Sequence, residues 1–226
     1  MRSPLRYIGS KNIDLTEYGI NNYDTYCEPF GGGFNTGIVL LDSGYTGKVV
    51  YNDLDEEVVN FWECLKEDSD RLFDYIVDDG EDNKFKRAAK EFEYRRQLHL
   101  NGKLGSNKDV ASFLRYDLYL TSLLLKDVEI NNNYYSSVMH KINDEKTFLL
   151  VDPPYNVKNV GKYYRCNSNE FNHEALFDEL KNFKGKWLLT YNDCEDIREL
   201  YKEFNVEKKV RTLYSRNYVE LYITNH

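Results

Sequence analysis

Asp152-Pro153-Pro154-Tyr155 is the stretch of this chain best equipped for chemistry. The aspartate is an acceptor, and the tyrosine offers a flat ring and a hydroxyl. The two prolines remove backbone donors and lock φ, which stiffens the turn. Held still, Asp152 and the Pro153 carbonyl would accept both hydrogens of a primary amine on a flat ring, while Tyr155 stacked on that ring. Methylation of an exocyclic amino group needs such a site. In a disordered tail the same four residues would be a turn or a ligand for a WW domain. The preceding run Phe148-Leu149-Leu150-Val151 favours the chemical reading. It predicts a buried parallel strand, which puts the tetrapeptide at a strand's carboxyl end, where open α/β sheets bind ligands.

A second constellation lies upstream. Glu28-Pro29-Phe30-Gly31-Gly32-Gly33 follows the strand-like Thr25-Tyr26-Cys27. Its glycines allow positive φ and close approach of backbone to a ligand. The run is neither the Gly-x-Gly-x-x-Gly fingerprint nor a Walker loop, so a pyrophosphate is not the expected ligand. Asp53 ends the next strand, Lys48–Asp53, where a carboxylate can accept from hydroxyls or an ammonium group. A ligand with ribose, ammonium and sulfonium but no phosphate suits these positions: S-adenosyl-L-methionine (AdoMet). Arg6-Tyr7-Ile8-Gly9-Ser10-Lys11 adds two candidates. Tyr7 offers a ring edge or hydroxyl, and Lys11 an ammonium for the methionine carboxylate. The expected cofactor contacts are Tyr7, Lys11, Glu28, Phe30, Gly31, Gly33, Asp53 and Asp152.

The elements that must position these residues are legible as strand, loop and helix in alternation. Phe34–Leu41 and the apolar face Val58, Val59, Phe61, Trp62 and Leu65 read as helices. Phe171, Leu176, Phe177, Leu180 and Phe183 mark another. Trp187–Tyr191 reads as a strand, Ile197–Phe204 as a short helix, and 210–214 with 219–223 as a closing pair of strands. A polar, Tyr-rich loop, Asn156–Asn169, follows the tetrapeptide. The chain has 226 residues with 41% hydrophobic content, enough for one sizeable core. Its net charge of −8 argues against coating nucleic acid through bulk charge. No apolar run is long enough to span a bilayer. Cys27, Cys64, Cys166 and Cys194 lack metal-ligand spacing and read as free thiols in a reducing compartment. No metal is expected.

Residues Glu63–Asp82 are acidic, and 84–126 reverse the sign, with Asn101–Asn107 as a turn between two helical patterns. We take 63–127 as a mostly helical insertion, distinct from a sheet domain formed by 1–62 and 128–226. Arg95, Arg96 and Arg115 lead the candidates for phosphate contacts.

Together these residues resemble the Dam-type (alpha-group) DNA adenine-N6 methyltransferases of bacteria and their phages. The resemblance is carried by Pro4-x-Arg6-Tyr7-x-Gly9-Ser10-Lys11, Glu28-Pro29-Phe30-x-Gly32-Gly33, Asn52-Asp53, Asp152–Tyr155, Phe171-x-His173, Leu188–Asp193 and Glu220–Asn225, in that order. It implies a Rossmann-like α/β AdoMet-dependent methyltransferase sheet with a small helical insertion that recognises the target. It also implies cofactor contacts at Tyr7, Lys11, Asp53 and Asp152. The partner implied is double-stranded DNA, in the cytoplasm of a prokaryotic or phage-infected cell. The family usually has an acidic residue shortly before the catalytic strand, and Asn133 or Tyr134 stands near that place. His173 reads as a helix-capping or core residue. Three readings stay open beside adenine methylation: an AdoMet-binding protein without a target reader, a methyltransferase for cytosine N4, and one for adenine in RNA. A monomer is expected, though nothing in the sequence fixes it.

Overall fold

The computed structural model describes residues 1–7, 9–78, 80–100, 108–155, 171–213 and 216–225. Seven strands form one sheet in the order β3-β2-β1-β4-β5-β7-β6. They are β1 (Thr25–Glu28), β2 (Lys48–Asn52), β3 (Glu129–Asn131), β4 (Thr147–Val151), β5 (Lys186–Asn192), β6 (Asn205–Leu213) and β7 (Arg216–Thr224). The first five are mutually parallel, and β7 runs antiparallel between β5 and β6. The strand order reverses between β1 and β4, and a ligand crevice is expected beyond their carboxyl ends. The arrangement is the Rossmann-like one expected.

Side chains alternate across the sheet, as a period of two requires. Tyr26, Tyr51, Phe148, Leu150, Leu188 and Tyr222 enter one buried cluster. Cys27, Val50, Leu149, Val151, Leu189 and Leu221 enter the other. Both faces are covered, which is why the central strands read as unbroken apolar runs. The first face packs α1 (Asn35–Asp42) and α2 (Glu56–Glu67), and the second packs α6 (Tyr135–Lys141), α7 (His173–Lys181) and α8 (Glu195–Leu200).

The segment 63–127 holds α3 (Ser69–Val77), α4 (Lys84–Leu100) and α5 (Lys108–Leu124). It is helical as expected, yet it has no core of its own. Phe73, Phe85, Phe92, Leu114 and Leu118 belong to the same cluster as Phe61 and Trp62 of α2. Phe92 stacks on Phe61 with centroids 5.9 Å apart. The border drawn after residue 62 falls inside α2, whose apolar stripe continues through Leu65.

Two elements escaped the sequence reading, β3 and α6. β3 is three residues long and half-exposed, so it shows neither an apolar run nor alternation. β6 begins at Asn205, five residues before the expected strand. The expected loops at 101–107 and 156–169, with Cys166, lie outside the described residues. Cys27, Cys64 and Cys194 are free thiols.

Candidate active site

The turn after β1 and the ends of β2 and β4 enclose a cavity of about 320 Å³. Tyr7, Lys11, Glu28, Phe30, Gly31, Gly33, Asp53, Asp152 and Pro154 all line it. The structure therefore brings the two motifs, 120 residues apart in the chain, to one place.

Asp53 is set by backbone. Its Oδ2 accepts from the Gly32 N–H at 2.8 Å, and its Oδ1 accepts from the Asp55 N–H at 2.9 Å. Each oxygen keeps a lone pair for a further donor. Burial pushes its pKa up to about 6; the two N–H groups and Arg95 oppose that rise, and Asp55 adds to it. Glu28 lies deeper. Tyr26 Oη donates to its Oε1 at 2.7 Å, and the Gly37 N–H donates to the same oxygen at 2.8 Å. Burial raises Glu28 to about 8 despite these bonds.

The glycines serve the protein's own aromatic rings. A Cβ on Gly31 would lie 2.2 Å from the Tyr51 ring, and one on Gly33 would lie 2.5 Å from Tyr7 Cβ. At these two positions the protein's own rings already exclude a side chain. Phe30, Tyr135 and Phe171 gather at another side of the cavity, with centroids 5.0 to 5.8 Å apart. Asn133 and Tyr134 also line it. The Asn52 side chain fixes that segment, donating to the Asn133 carbonyl at 2.9 Å and accepting from the Asn133 N–H at 3.0 Å.

Asp152 has different neighbours. The buried Lys11 ammonium pairs with its Oδ1 and lies 3.8 Å from Glu220. Thr190 Oγ1 donates to the same Oδ1 at 2.7 Å. Asp152 Oδ2 receives no hydrogen bond from a described residue. Tyr155 Oη donates to Glu220 Oε1 at 2.8 Å, and Arg211 donates to Glu220 Oε2 at 3.4 Å. Lys11 also sits 4.9 Å from the Tyr155 ring centroid. Lys11 thus faces the Asp152–Tyr155 motif as well as the cavity, where the sequence suggested only a cofactor carboxylate.

Thr190 and Glu220 were quoted as motif residues without a role. A signal existed for Glu220. It shares strand parity with buried Tyr222 and is itself buried, a charged side chain on an inward face. His173 opens α7, but the cap is Asn172, whose side chain accepts from the Ala175 N–H. His173 Nδ1 meets Tyr191 Oη, and burial lowers its pKa.

The basic segment needs correction. Arg95 is 1% exposed and bonds Asp55 and Glu91, so it is not available to a phosphate. Arg115 is exposed but paired with Asp70 and Asp74 of α3. Lys84 pairs with Glu67, and Arg87 with Glu56 and Glu57. Lys84 and Arg115 thus pair with the acidic stretch that precedes them in the sequence. Half-buried Arg96 has no carboxylate partner among the described residues. Among those residues no group of His, Cys, Asp and Glu is placed to hold a metal, and no helix is long and apolar enough to cross a membrane.

The donor set fits AdoMet: a carboxylate with lone pairs for ribose hydroxyls beside a cluster of rings. Fold and site together define an AdoMet-dependent methyltransferase. A family profile described as D12 class N6 adenine-specific DNA methyltransferase matches residues 7–126 and 93–214. The chain belongs to that family, whose substrate is adenine in DNA. It is similar to the type II methyltransferase M.CviBI of Paramecium bursaria Chlorella virus NC1A, with 24% identity over 93% of this chain and 92% of that protein. It is also similar to the type II methyltransferase M.MjaIII of Methanocaldococcus jannaschii, with 26% identity over 91% of this chain and 90% of that protein. Among solved structures it resembles a SAM dependent methyltransferase from Aquifex aeolicus, with 12% identity, 94% of this chain and 87% of that chain covered, and a TM-score of 0.40. An antibiotic-related methyltransferase aligns with 8% identity, 98% of each chain and a TM-score of 0.41. The family decides among the readings left open by the sequence: this is an enzyme of site-specific adenine-N6 DNA methylation.

Proposed function

We propose that the enzyme takes its target adenine out of double-stranded DNA and receives it against Asp152–Tyr155. A base inside a duplex cannot present its amino group to a cavity at a sheet edge, so it must leave the stack. The observation that carries this reading is that Asp152 lines the same cavity as Asp53, with its Oδ2 available to a new donor among the described residues. One N6 hydrogen goes to Asp152 Oδ2 and the other to the Pro153 carbonyl. Losing conjugation with the ring, the nitrogen lone pair turns toward the cavity. Tyr155 stacks on the base, its ring fixed through Glu220. Lys11 holds Asp152 through its Oδ1. Bound AdoMet supplies an electrophilic methyl group on sulfonium. Asp53 holds its ribose hydroxyls, and Phe30, Tyr135 and Phe171 its adenine. Rate enhancement comes from alignment of donor and acceptor, which contributes roughly 7–11 kcal/mol.

We assign target recognition to α3–α5, with Arg96 as the phosphate contact that replaces Arg95 and Arg115. The setting is the cytoplasm of a prokaryotic or phage-infected cell, and the working unit is a monomer. The test is a duplex carrying 2-aminopurine at the methylated position, identified first by mapping N6-methyladenine in DNA from cells expressing this chain alone. Fluorescence should rise on binding, as unstacking relieves quenching. An unchanged signal with a bound duplex, whose counterpart carrying adenine at that position is methylated, would refute extrusion of the base.

A further inference from the structure

Helix α4 reaches residues of the cavity wall through Arg95. Arg95 Nη2 donates to Asp55 Oδ2 at 2.8 Å, and Nε donates to Glu91 Oε1 at 2.5 Å. Its guanidinium carbon lies 4.4 Å from the centroid of the Tyr7 ring. Tyr7 and Asp55 both line the cavity. The contacts then close on themselves. The Asp55 N–H holds Asp53 Oδ1, Asp53 Oδ2 holds the Gly32 N–H, and Gly32 packs so tightly on Tyr7 that a Cβ there would lie 2.9 Å from its ring. Tyr7 returns to Arg95. Gly32 also takes φ +44°, a conformation open to glycine.

A buried ion pair is weak support for stability, because desolvation offsets the Coulomb gain. Its geometry is another matter. A guanidinium offers a planar fork to two carboxylates and a flat face to a ring at the same time, which an ammonium cannot do. We infer that Arg95 is a positioning residue for the cofactor: from α4 it sets the spacing between Tyr7 and the Asp53–Asp55 turn, so the helical segment completes the AdoMet cavity. This rests on the reading of the cavity as the cofactor site. It also reverses the role that position suggested in the sequence, since a phosphate contact would act on DNA binding.

The test uses the full chain with R95K, D55N and D53A. AdoMet dissociation constants come from calorimetric titration, and KM values for AdoMet and for duplex DNA are measured separately. R95K keeps the charge and should show a cooperative thermal melt. Its AdoMet Kd and KM should rise about tenfold, with KM for DNA unchanged and kcat at saturating AdoMet near wild type. D55N keeps the side chain's shape and serves as the second variant where R95K does not fold. Its AdoMet Kd should rise about threefold or more, again without a change in KM for DNA. A folded variant with unchanged AdoMet affinity, or with a raised KM for DNA alone, overturns the inference. D53A separates the two failures. If it weakens AdoMet and R95K does not, only the role of Arg95 falls; if it leaves AdoMet binding untouched, the cavity reading falls as well.

Discussion

Asp53 and Asp152 are the same residue type at the same edge of the same sheet, one after β2 and one after β4. Their surroundings differ in kind. Asp53 is held by two backbone N–H groups, and Arg95 is bonded to Asp55, two residues on. Asp152 is held by a lysine and a threonine side chain. Backbone donors are fixed by the fold and leave an acceptor already aimed, which suits neutral hydroxyls that never change charge during the reaction. A lysine on a flexible stem can shift as an amine arrives. On the proposed function, Asp53 serves ground-state binding and Asp152 meets the reacting atom.

The contrast breaks most visibly at Asp152. D152A should lower kcat by about 10²–10³-fold or more while calorimetry still finds AdoMet bound. Methyl transfer near the wild-type rate would end the assignment. D53A should show the opposite pattern. Loss of two charge-assisted hydrogen bonds raises AdoMet Kd by roughly 10–100-fold, with a far smaller effect on kcat at saturation. A fall in kcat matching that of D152A would erase the distinction.

A gentler probe is pH. With Asp53 raised to about 6, its charged form is lost as the pH falls through that value, so AdoMet affinity should weaken below about pH 6. D53N should flatten that limb. Titration of AdoMet at several pH values reads it directly.

The smallest effect concerns Glu28. Its folded pKa of about 8 lies above the ordinary 4.5, so the native state binds the extra proton between those values. Stability from this group is full below pH 4.5 and is lost as the pH rises toward 8. E28Q carries no such loss. In cofactor-free protein, the melting temperature of E28Q relative to wild type should rise from pH 5 to pH 9. A constant difference would mean that Glu28 stays ionised in its buried place.

The sheet was legible because buried parallel strands leave unbroken apolar runs, as at Phe148–Val151. The site was legible because a stiff acidic turn and a glycine turn each follow such a run. What stayed hidden depends on tertiary pairing. Nothing local distinguishes Arg95, buried against Asp55 and Glu91, from Arg96 beside it. The acidic and basic halves of 63–127 read as separate surfaces until α3 and α5 are seen side by side, with Arg115 on Asp70 and Asp74. Lys11 lies 141 residues from Asp152, and only the sheet's crossover brings them together.

The place of β7 between β5 and β6 has a consequence for biosynthesis. A ribosome delivers β6 first, when the strand that will separate it from β5 does not yet exist. Until that strand pairs, Tyr155 lacks its hydrogen bond to Glu220.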